Sequence, residues 1–432
     1  MSTKVSVVAL LTLASGITAD GADWPQFRGP WSNGHAAAPG ATRPLGLPVQ
    51  WSETENVRWK TAIPHVGWSS PVVLEGKIWL TTATEKGNDF FVICVNAASG
   101  EVLLNQRLFH SDTPEPLGNP VNAYASPTPV VESGRVYVHF GSYGTACLDT
   151  QTFQVLWKRE DLPCRHYRGP GSSPALFQNT LLLTMDGIDQ QYLVALDKFD
   201  GSTVWRTDRN TEFNDLDRNG RPTAGGDLRK GFTTPLIMEL GGRMQLISPG
   251  SKAAYSYDPS TGKELWKLRY PGHTPAVSVI AGNGLIYFAT GWSPSELLAV
   301  RPTGVGDVTD THIVWKSNRG VPQKPSPVMV DQFLYVVADT GVLTCFDAVT
   351  GKELWQERVG SEVNASLLYA DGCIFCFDTD GIATVIKAGS AFELIRKNRL
   401  AAGFMASPAV IGKAFILRTK SHLYRIENQE SR

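Results

Sequence analysis

The sequence lacks several features that would each point to a class of protein. Its 40 Lys and Arg nearly balance its 41 Asp and Glu, so no basic surplus suggests binding to nucleic acid. No run of 18 apolar residues occurs beyond the N-terminal stretch, so we expect no transmembrane span. The eight histidines show no H-E-x-x-H spacing, and the Ser-Pro pairs resemble strand starts rather than nucleophile elbows. Zinc-protease and serine-hydrolase chemistry are therefore disfavoured.

Cysteine is scarce and scattered. No two cysteines are adjacent, and the six positions are Cys94, Cys147, Cys164, Cys345, Cys373 and Cys376. Isolated core thiols and disulfides are both compatible with this spacing. Cys373 and Cys376 form a C-x-x-C pair, but in a strand positions three apart face opposite sides. We therefore expect neither a redox nor a zinc site there.

The sequence does contain a repeated unit. An apolar strand ends in Asp, a tight turn carries Gly four residues later, and a short strand carries Trp eight residues after the Asp. The clearest copies span residues 197–205, 258–266 and 347–355, and weaker copies begin at Asn96, Asp149 and Lys387. Repeats at a fixed spacing indicate that the fold is built from similar supersecondary units.

Each unit also has a front end, a small residue that opens an apolar stretch and is usually followed by Pro. The front ends are Ser70, Ser126, Ser173, Thr234, Thr274, Ser326, Ser366 and Ser407. Roughly 30 residues separate most front ends from the Trp position, which leaves room for four short strands and their turns. Eight front ends therefore predict eight four-stranded sheets.

The two ends of this array complement each other. The last unit ends near Asn428 after about three strands without a closing Trp, whereas Trp59 lies in an N-terminal strand with no front end. The sequence predicts an all-β, eight-bladed β-propeller over residues 55–428, in which the N-terminal strand joins the last blade near Leu423. Ring closure removes the exposed sheet edges that an open solenoid would leave.

The Asp…Thr-Gly…Trp unit resembles the tryptophan-docking repeat of the pyrroloquinoline quinone (PQQ)-type β-propellers. That superfamily covers quinoprotein dehydrogenases and the lipoprotein of the β-barrel assembly machinery. The segments 24–30 (WPQFRGP), 67–71, 141–149 and 403–408 are similar to exported PQQ-like propellers of planctomycete-type bacteria. The resemblance covers about residues 24–427 and implies the fold. Because the family includes both enzymes and scaffolds, it leaves the function open.

The N-terminus predicts export. A basic Lys4, an apolar core at 5–13 and small residues before Ala19 form the pattern of a signal peptide over residues 1–19, with an uncleaved anchor as the alternative. Residues 20–54 follow as a tail. We expect Trp24 and Phe27 to pack against a blade, and a docking peptide is the alternative. The mature protein is expected in the periplasm or outside the cell.

Propellers usually bind ligands at one end of the central channel, so the residues just before the front ends are candidate pocket residues. They are Trp68, Tyr124, Arg168, His273, Lys324 and Asn364, accompanied by Lys230, Phe232, Phe404 and Met405. Flat rings and cations of this kind suit a planar anion such as PQQ. The alternative is that these side chains only fill the channel mouth.

Two insertions, at 109–122 and 209–229, interrupt the repeats. The second contains Asp215, Asp217 and Asn219 at the spacing of the first half of a calcium loop, with Gly220 at the sharp turn. The twelfth position of such a loop is Gly226, and Asp227 comes one residue late. A solvated polar loop is therefore favoured over a calcium site.

The resemblance to quinoprotein dehydrogenases implies a calcium or lanthanide ion held by Glu, Asn and Asp, an Asp base and often a vicinal disulfide. The front-end loops supply few carboxylates, namely Glu132 and Glu362, and no cysteines are adjacent. We therefore expect a non-catalytic binding or assembly scaffold of the cell envelope, a monomer without a cofactor that binds an envelope protein. The alternatives are an oxidoreductase that uses PQQ with calcium on an alcohol or sugar, and carbohydrate or peptide binding at the channel mouth.

Overall fold

A computed structural model confirms the predicted eight-bladed β-propeller. The structure describes residues 23–118 and 121–429, and the predicted signal peptide lies outside the described residues. Eight sheets follow one another around an axis, and the described residues contain one helical element, a 3₁₀ helix at Thr223–Arg229. No helix in the described part of the chain is long and apolar enough to cross a membrane.

The first four blades follow one another along the chain, with four antiparallel strands each. They are blade 1 (β2 Val72–Leu74, β3 Lys77–Ala83, β4 Asp89–Asn96, β5 Val102–His110), blade 2 (β6 Val130–Glu132, β7 Arg135–His139, β8 Thr145–Asp149, β9 Val155–Arg159), blade 3 (β10 Ala175–Phe177, β11 Thr180–Asp186, β12 Gln191–Asp197, β13 Thr203–Asp208) and blade 4 (β14 Leu236–Leu240, β15 Arg243–Gly250, β16 Ala253–Tyr257, β17 Glu264–Arg269). A short strand, β21 at Gly306–Asp307, pairs in parallel with β17 and widens blade 4.

The last four blades repeat this order, except that blade 8 takes its outer strand from the N-terminal part of the chain. They are blade 5 (β18 Ile280–Gly282, β19 Leu285–Ala289, β20 Leu297–Val300, β22 Ile313–Ser317), blade 6 (β23 Val328–Val330, β24 Phe333–Val337, β25 Val342–Asp347, β26 Glu353–Arg358), blade 7 (β27 Leu368–Ala370, β28 Cys373–Phe377, β29 Ile382–Lys387, β30 Leu394–Arg399) and blade 8 (β31 Ala409–Ile411, β32 Ala414–Arg418, β33 His422–Glu427, β1 Val57–Ala62).

The pairing of β1 with β33 is the one that the complementary ends of the repeat array predict. The two strands run antiparallel, with Thr61 opposite Leu423 and Trp59 opposite Arg425. The N- and C-terminal parts of the chain are therefore joined in one sheet by main-chain hydrogen bonds.

The repeated Trp and Gly residues meet between neighbouring blades rather than within one unit. The Trp315 ring of blade 5 packs on Gly351 of blade 6, and its indole N–H donates to the Ala348 carbonyl at 2.8 Å. The same arrangement joins three other blade pairs, in which the rings of Trp59, Trp157 and Trp205 pack on Gly100, Gly201 and Gly262. Trp355 of blade 6 donates its indole N–H to the Gly389 carbonyl of blade 7 at 3.3 Å, but its ring does not pack on that glycine. Trp266 of blade 4 differs, since its N–H donates to Gln245 in its own blade.

A second set of contacts forms a ring of hydroxyl groups around the axis. Each member lies two residues before the first strand of its blade and donates its backbone N–H to the hydroxyl of the next member at 2.9–3.0 Å. The bonds run from Ser70 to Thr128, Thr128 to Ser173, Ser173 to Thr234, Ser278 to Ser326, Ser326 to Ser366, Ser366 to Ser407 and Ser407 to Ser70. Among the described residues, the link from Thr234 to Ser278 alone is not formed.

The hydroxyl ring corrects two of the predicted front ends. In blade 2 the ring member is Thr128 rather than Ser126, and in blade 5 it is Ser278 rather than Thr274. The two predictions were wrong because a small residue followed by Pro occurs twice in succession in blade 2, and because Ser278 is followed by Val279 rather than Pro. The spacing to the buried first strand, and not the proline, identifies the position.

The tail crosses the end of the ring at which the first and second strands join. Trp24 exchanges two backbone hydrogen bonds with Val73 of blade 1, and the Pro25 carbonyl accepts one from Val131 of blade 2. Farther along, three amides at residues 45–47 donate to the Asp371 carboxylate of blade 7. Trp24 is buried as expected, whereas Phe27 is only partly buried and lies in the channel.

The cysteines form no disulfide. All six lie in the described residues as buried free thiols. Cys373 and Cys376 belong to β28, and burial raises the pKa of the Cys376 thiol to about 12, which keeps it protonated and unreactive.

The contact between Trp and Gly predicts a cost for adding a single methyl group. Gly351 and Gly372 share a positive φ, at +74° and +77°, but a Cβ at Gly351 would lie 2.6 Å from the Trp315 ring and one at Gly372 meets nothing within 4 Å. Gly372→Ala should cost about 1–2 kcal/mol for its backbone conformation. Gly351→Ala should cost about 1–3 kcal/mol more from overpacking. Urea unfolding measures both, and equal losses would contradict the docking role.

The hydroxyl ring makes a second prediction. Ser366→Ala removes the acceptor for the buried Ser326 N–H, so the free energy of unfolding should fall by about 1–3 kcal/mol. The exposed Ser260→Ala variant is the control for the loss of a hydroxyl. Equal stability of the two variants in urea unfolding would show that the ring contributes little.

Candidate functional site

A cavity of about 520 Å³ lies at the mouth of the channel, opposite the end that the tail crosses. Its wall comes mainly from the segments that precede the first strands, with Trp292 and Ser293 added from the turn between β19 and β20. Its floor contains Phe27 of the tail and six ring residues, Ser70, Thr128, Ser173, Thr234, Ser366 and Ser407. Because the tail occupies the other end of the channel, the cavity is a blind pocket. Its volume is in the range of ligand-binding pockets.

The cavity brings together five of the six residues that the sequence analysis selected. They are Trp68, Arg168, His273, Lys324 and Asn364. Phe232 and Met405, which accompanied that set, also line the wall. The front-end loops of different blades therefore converge as the repeat pattern predicts.

Tyr124 does not line the cavity. Its ring packs against Phe90 and Tyr143 between blades 1 and 2, and its hydroxyl donates to the Glu115 carbonyl at 2.7 Å. Tyr124 lies away from the cavity because the ring residue of blade 2 is Thr128 and not Ser126. Tyr124 is therefore four residues before the ring residue, rather than two as predicted. Phe404 is likewise buried away from the cavity, against Phe377.

Each ionised side chain of the wall lies beside an opposite charge. Arg168 Nε donates to both carboxylate oxygens of Asp227 at 2.7 and 2.9 Å, and this hydrogen bond raises the pKa of Arg168. Lys324 Nζ lies 2.9 Å from Glu362 and 3.2 Å from Asp339. The hydrogen bond from Lys324 lowers the pKa of Glu362. Among the described lining residues, every charged group thus has an opposite charge beside it.

His273 is neutral near pH 7. Burial, followed by the nearby charge of Lys252, lowers its pKa below the ordinary value. The Nδ1 atom lies 2.9 Å from the Thr274 hydroxyl, and the backbone exchanges two hydrogen bonds with Trp292. The backbone pairing fixes the position of Trp292, which is 44% exposed at the rim.

Both insertions end at this cavity. Asn122, at the end of the first, donates through Nδ2 to the carbonyls of Arg168 and Pro170 at 2.7 and 3.1 Å. Asp227, near the end of the second, holds the Arg168 side chain. Asn122 and Asp227 were not predicted for the pocket, because their contacts join loops of different blades. Trp292 was not predicted because it follows the second strand of blade 5 rather than preceding the first.

The weak calcium candidate is a loop held by its own residues. Both carboxylate oxygens of Asp215 bind Arg229, at 2.9 and 2.5 Å. Asp217 Oδ1 accepts backbone N–H groups from Asn219 and Arg221 at 2.8 and 2.9 Å. Within the described residues, no group of three or more His, Cys, Asp or Glu is placed to hold a metal ion. The polar-loop interpretation fits these contacts, since the carboxylates already have partners.

PQQ with calcium does not fit the residues of the cavity. PQQ is a tricarboxylate, whereas the cations that line the wall, Arg168 and Lys324, are each paired with carboxylates. The lining carboxylate, Asp227, is itself bound by Arg168, so it would have to break an ion pair to act as a base or a calcium ligand. The donor set therefore offers neither the positive charge nor the oxygen ligands that this cofactor requires.

A family model described as outer membrane protein assembly factor BamB matches residues 51–227, 189–300 and 303–394. The chain belongs to this family. The matched residues contain blades 1 to 6, the first three strands of blade 7 and the outer strand of blade 8, so membership rests on most of the propeller.

The fold of this BamB-family chain aligns with solved structures of two kinds of propeller. BamB from Moraxella catarrhalis aligns with a TM-score of 0.59 at 12% identity, over 86% of this chain and 99% of that one. The quinohemoprotein alcohol dehydrogenase from Comamonas testosteroni aligns with a TM-score of 0.54 at 12% identity, over 95% and 81%. At such identities the likeness shows the fold alone.

A curated relative is similar over part of the chain. The tetrathionate hydrolase of Acidithiobacillus ferrooxidans is 25% identical over 254 residues, which are 54% of this chain and 48% of that protein. The chain therefore spans about half the length of this relative.

Beneath the cavity wall lies a buried lysine. Lys230 is fully buried, its Nζ is 2.9 Å from His166 Nδ1, and it lies 4.7 Å from the centre of the Phe232 ring that lines the cavity. Burial lowers the pKa of Lys230 to about 8, against smaller opposing effects of Cys164 and Asp186. Burial, followed by the charge of Lys230, lowers the pKa of His166 well below its ordinary value.

This lysine predicts a pH dependence of stability. Between pH 8 and its ordinary pKa near 10.5, Lys230 is protonated in the unfolded chain and neutral in the folded one. Because the unfolded state then binds more protons, stability rises with pH across this window. The stability of the wild type relative to Lys230→Met should rise by on the order of 2 kcal/mol from pH 7 to pH 10.

Urea unfolding at several pH values measures this difference. The exposed Lys413→Met variant controls for the loss of a positive charge. A difference between the wild type and Lys230→Met that does not change with pH would contradict the shifted pKa.

Proposed function

We propose that this protein is a non-catalytic binding scaffold of the cell envelope, and that its blind cavity receives an extended segment of a partner protein. One observation carries the proposal: every charged group of the described cavity wall is paired with an opposite charge, so the groups left for a ligand are aromatic rings and hydroxyl groups. Family membership supports the same conclusion, since the matching family is described as an outer membrane protein assembly factor.

The chemistry of the surface suits a peptide. Trp68, Phe232 and Trp292 supply flat apolar faces, and the floor supplies hydroxyls that donate and accept hydrogen bonds. Aromatic residues in a concave site supply much of the binding energy at protein interfaces. A segment with an apolar side chain and free backbone amides would bury the side chain against the rings and bond to the hydroxyls.

The oxidoreductase alternative is less well supported. It requires a proton acceptor beside the substrate and oxygen ligands for a metal ion. In the described wall, Asp227 is bound by Arg168, and the low pKa of His273 makes it a weak base. These two residues line the cavity at the channel mouth, where a propeller of this kind is expected to bind its substrate.

An envelope location follows from the same proposal. The signal-like residues 1–19 predict export, and a partner would then meet the protein in the periplasm or outside the cell. The open end of the ring would face that partner, because the other end is covered by the tail.

Site-specific photo-crosslinking tests the proposal. A photoreactive amino acid at Trp292, on the cavity rim, should yield one adduct of fixed size with an envelope protein in cells that make the full chain. Leu394, which is 48% exposed on the outer strand of blade 7, is the matched control position. Trp68→Ala should weaken the adduct about tenfold, as expected for loss of a buried aromatic anchor.

Two outcomes would contradict the scaffold. Adducts of equal yield at Trp292 and Leu394 would show that the cavity is not the contact. Quinone absorbance together with dye-linked alcohol oxidation, after addition of PQQ and calcium to purified protein, would favour the oxidoreductase.

A carbohydrate is the second candidate ligand. The exposed Trp292 ring beside polar side chains is a surface on which the apolar face of a sugar can stack. Quenching of tryptophan fluorescence by an oligosaccharide, lost in Trp292→Ala and retained in the control Trp315→Phe, would favour this candidate over a peptide.

A further inference from the structure

Arg28 is a buried cation that forms no ion pair with any residue in the described ranges. It belongs to the tail and is 2% exposed. Its Nη2 donates to the carbonyls of Pro327 at 2.5 Å and Asn33 at 2.7 Å. Its Nε and Nη1 atoms have no hydrogen-bond partner among the described residues. Although burial lowers the pKa of Arg28 to about 9, the guanidinium remains charged at neutral pH. An isolated buried charge is costly, which calls for a compensating group.

The hydroxyl ring has its one unformed link near this charge. The backbone N–H of Ser278 donates to Ser326, but the Ser278 hydroxyl has no partner among the described residues. Each of the other ring hydroxyls accepts a hydrogen bond from its neighbour. The defect is thus confined to the step between Thr234 in blade 4 and Ser278 in blade 5.

A small cavity is lined by both Arg28 and Ser278. It has a volume of about 20 Å³ and is lined by Arg28, Ser278, Thr234 and Phe27, together with other tail and blade residues. This space is sufficient for one water molecule or one monatomic ion. It lies below the large cavity, since Phe27 lines both.

The polar groups without hydrogen-bond partners at this cavity determine which kind of ligand can bind there. A guanidinium offers only donors, and the Ser278 hydroxyl can also donate. Gln26 supplies the amide side chain of the lining, and its Nε2 already donates to the Ser32 hydroxyl and the Pro30 carbonyl. A ligand here must accept hydrogen bonds, and a negative charge would offset that of Arg28.

We propose that Arg28 and Ser278 form a buried binding site for one monatomic anion, with chloride as the physiological occupant. The anion would accept hydrogen bonds from Arg28 Nε or Nη1 and from Ser278, and would tie the tail to the ring at its unformed link. It would thereby hold Phe27 in place as the floor of the large cavity. The proposal does not depend on what the large cavity binds.

Thermal unfolding of the full exported protein tests the site. At constant ionic strength, replacement of sodium methanesulfonate by sodium chloride or bromide should raise the unfolding midpoint and then saturate, as mass action requires. The rise should vanish in Arg28→Met and persist in Arg43→Met, which removes an exposed arginine of the same tail. In Ser278→Ala the half-saturating chloride concentration should increase at least about tenfold.

Ser278→Ala keeps the test valid if Arg28→Met fails to fold. Equal midpoints in all salts, or an unchanged chloride response in Ser278→Ala, would overturn the proposal. Crystals grown in bromide supply a direct measurement, because bromide scatters anomalously. An anomalous peak between Arg28 and Ser278 would support the site, and a water molecule without anomalous signal there would overturn it.

Discussion

The ring of hydroxyl groups around the axis is the constraint on which the rest of the structure depends. Each first strand is only a few residues long and cannot hold its neighbours by area alone. A backbone N–H donated to the hydroxyl of the next blade fixes both the distance and the register between two blades. The Trp315–Gly351 contact and its equivalents do the same at larger radius. Because both contacts join consecutive blades, most blades are positioned by the two beside them. Among the described residues, blades 4 and 5 are joined by neither contact and meet through the pairing of β17 with β21.

This arrangement also determines the chemistry of the large cavity. The same hydroxyls that hold the blades together form its floor, so the floor is polar and uncharged. The wall loops contribute cations, but Arg168 and Lys324 are held by carboxylates from other loops. The cavity therefore offers a ligand aromatic rings, hydroxyl groups and cations that already have partners.

The tail gives the ring two different ends. Its main-chain bonds to blades 1, 2 and 7 cover one end, and Phe27 separates the large cavity from the small one. A channel that would otherwise be open at both ends becomes a pocket with one entrance. The tail also buries the charged side chain of Arg28 in the channel, and a buried charge is costly unless an opposite charge lies beside it. An anion at the unformed ring link would supply it.

How much the sequence reveals depends on the distance over which each contact acts. The recurring Asp, Gly and Trp, the eight front ends and the incomplete last unit are local patterns, and they were enough to predict eight blades and the pairing of Trp59 with the last strand. They also predicted five of six pocket residues, because front-end loops of a ring must converge. Tyr124 was assigned wrongly because Ser126 and Thr128 are equivalent by local pattern, and only burial of the first strand distinguishes them.

The sequence alone thus determined the repeating strands, their number and their closure, since these follow from hydrophobic patterns and turn residues within each unit. Tertiary structure decided which Trp meets which Gly, which charges pair at the cavity and which residue plugs the channel. Those contacts join segments tens to hundreds of residues apart, as between Arg28 and Pro327, and no local pattern specifies them.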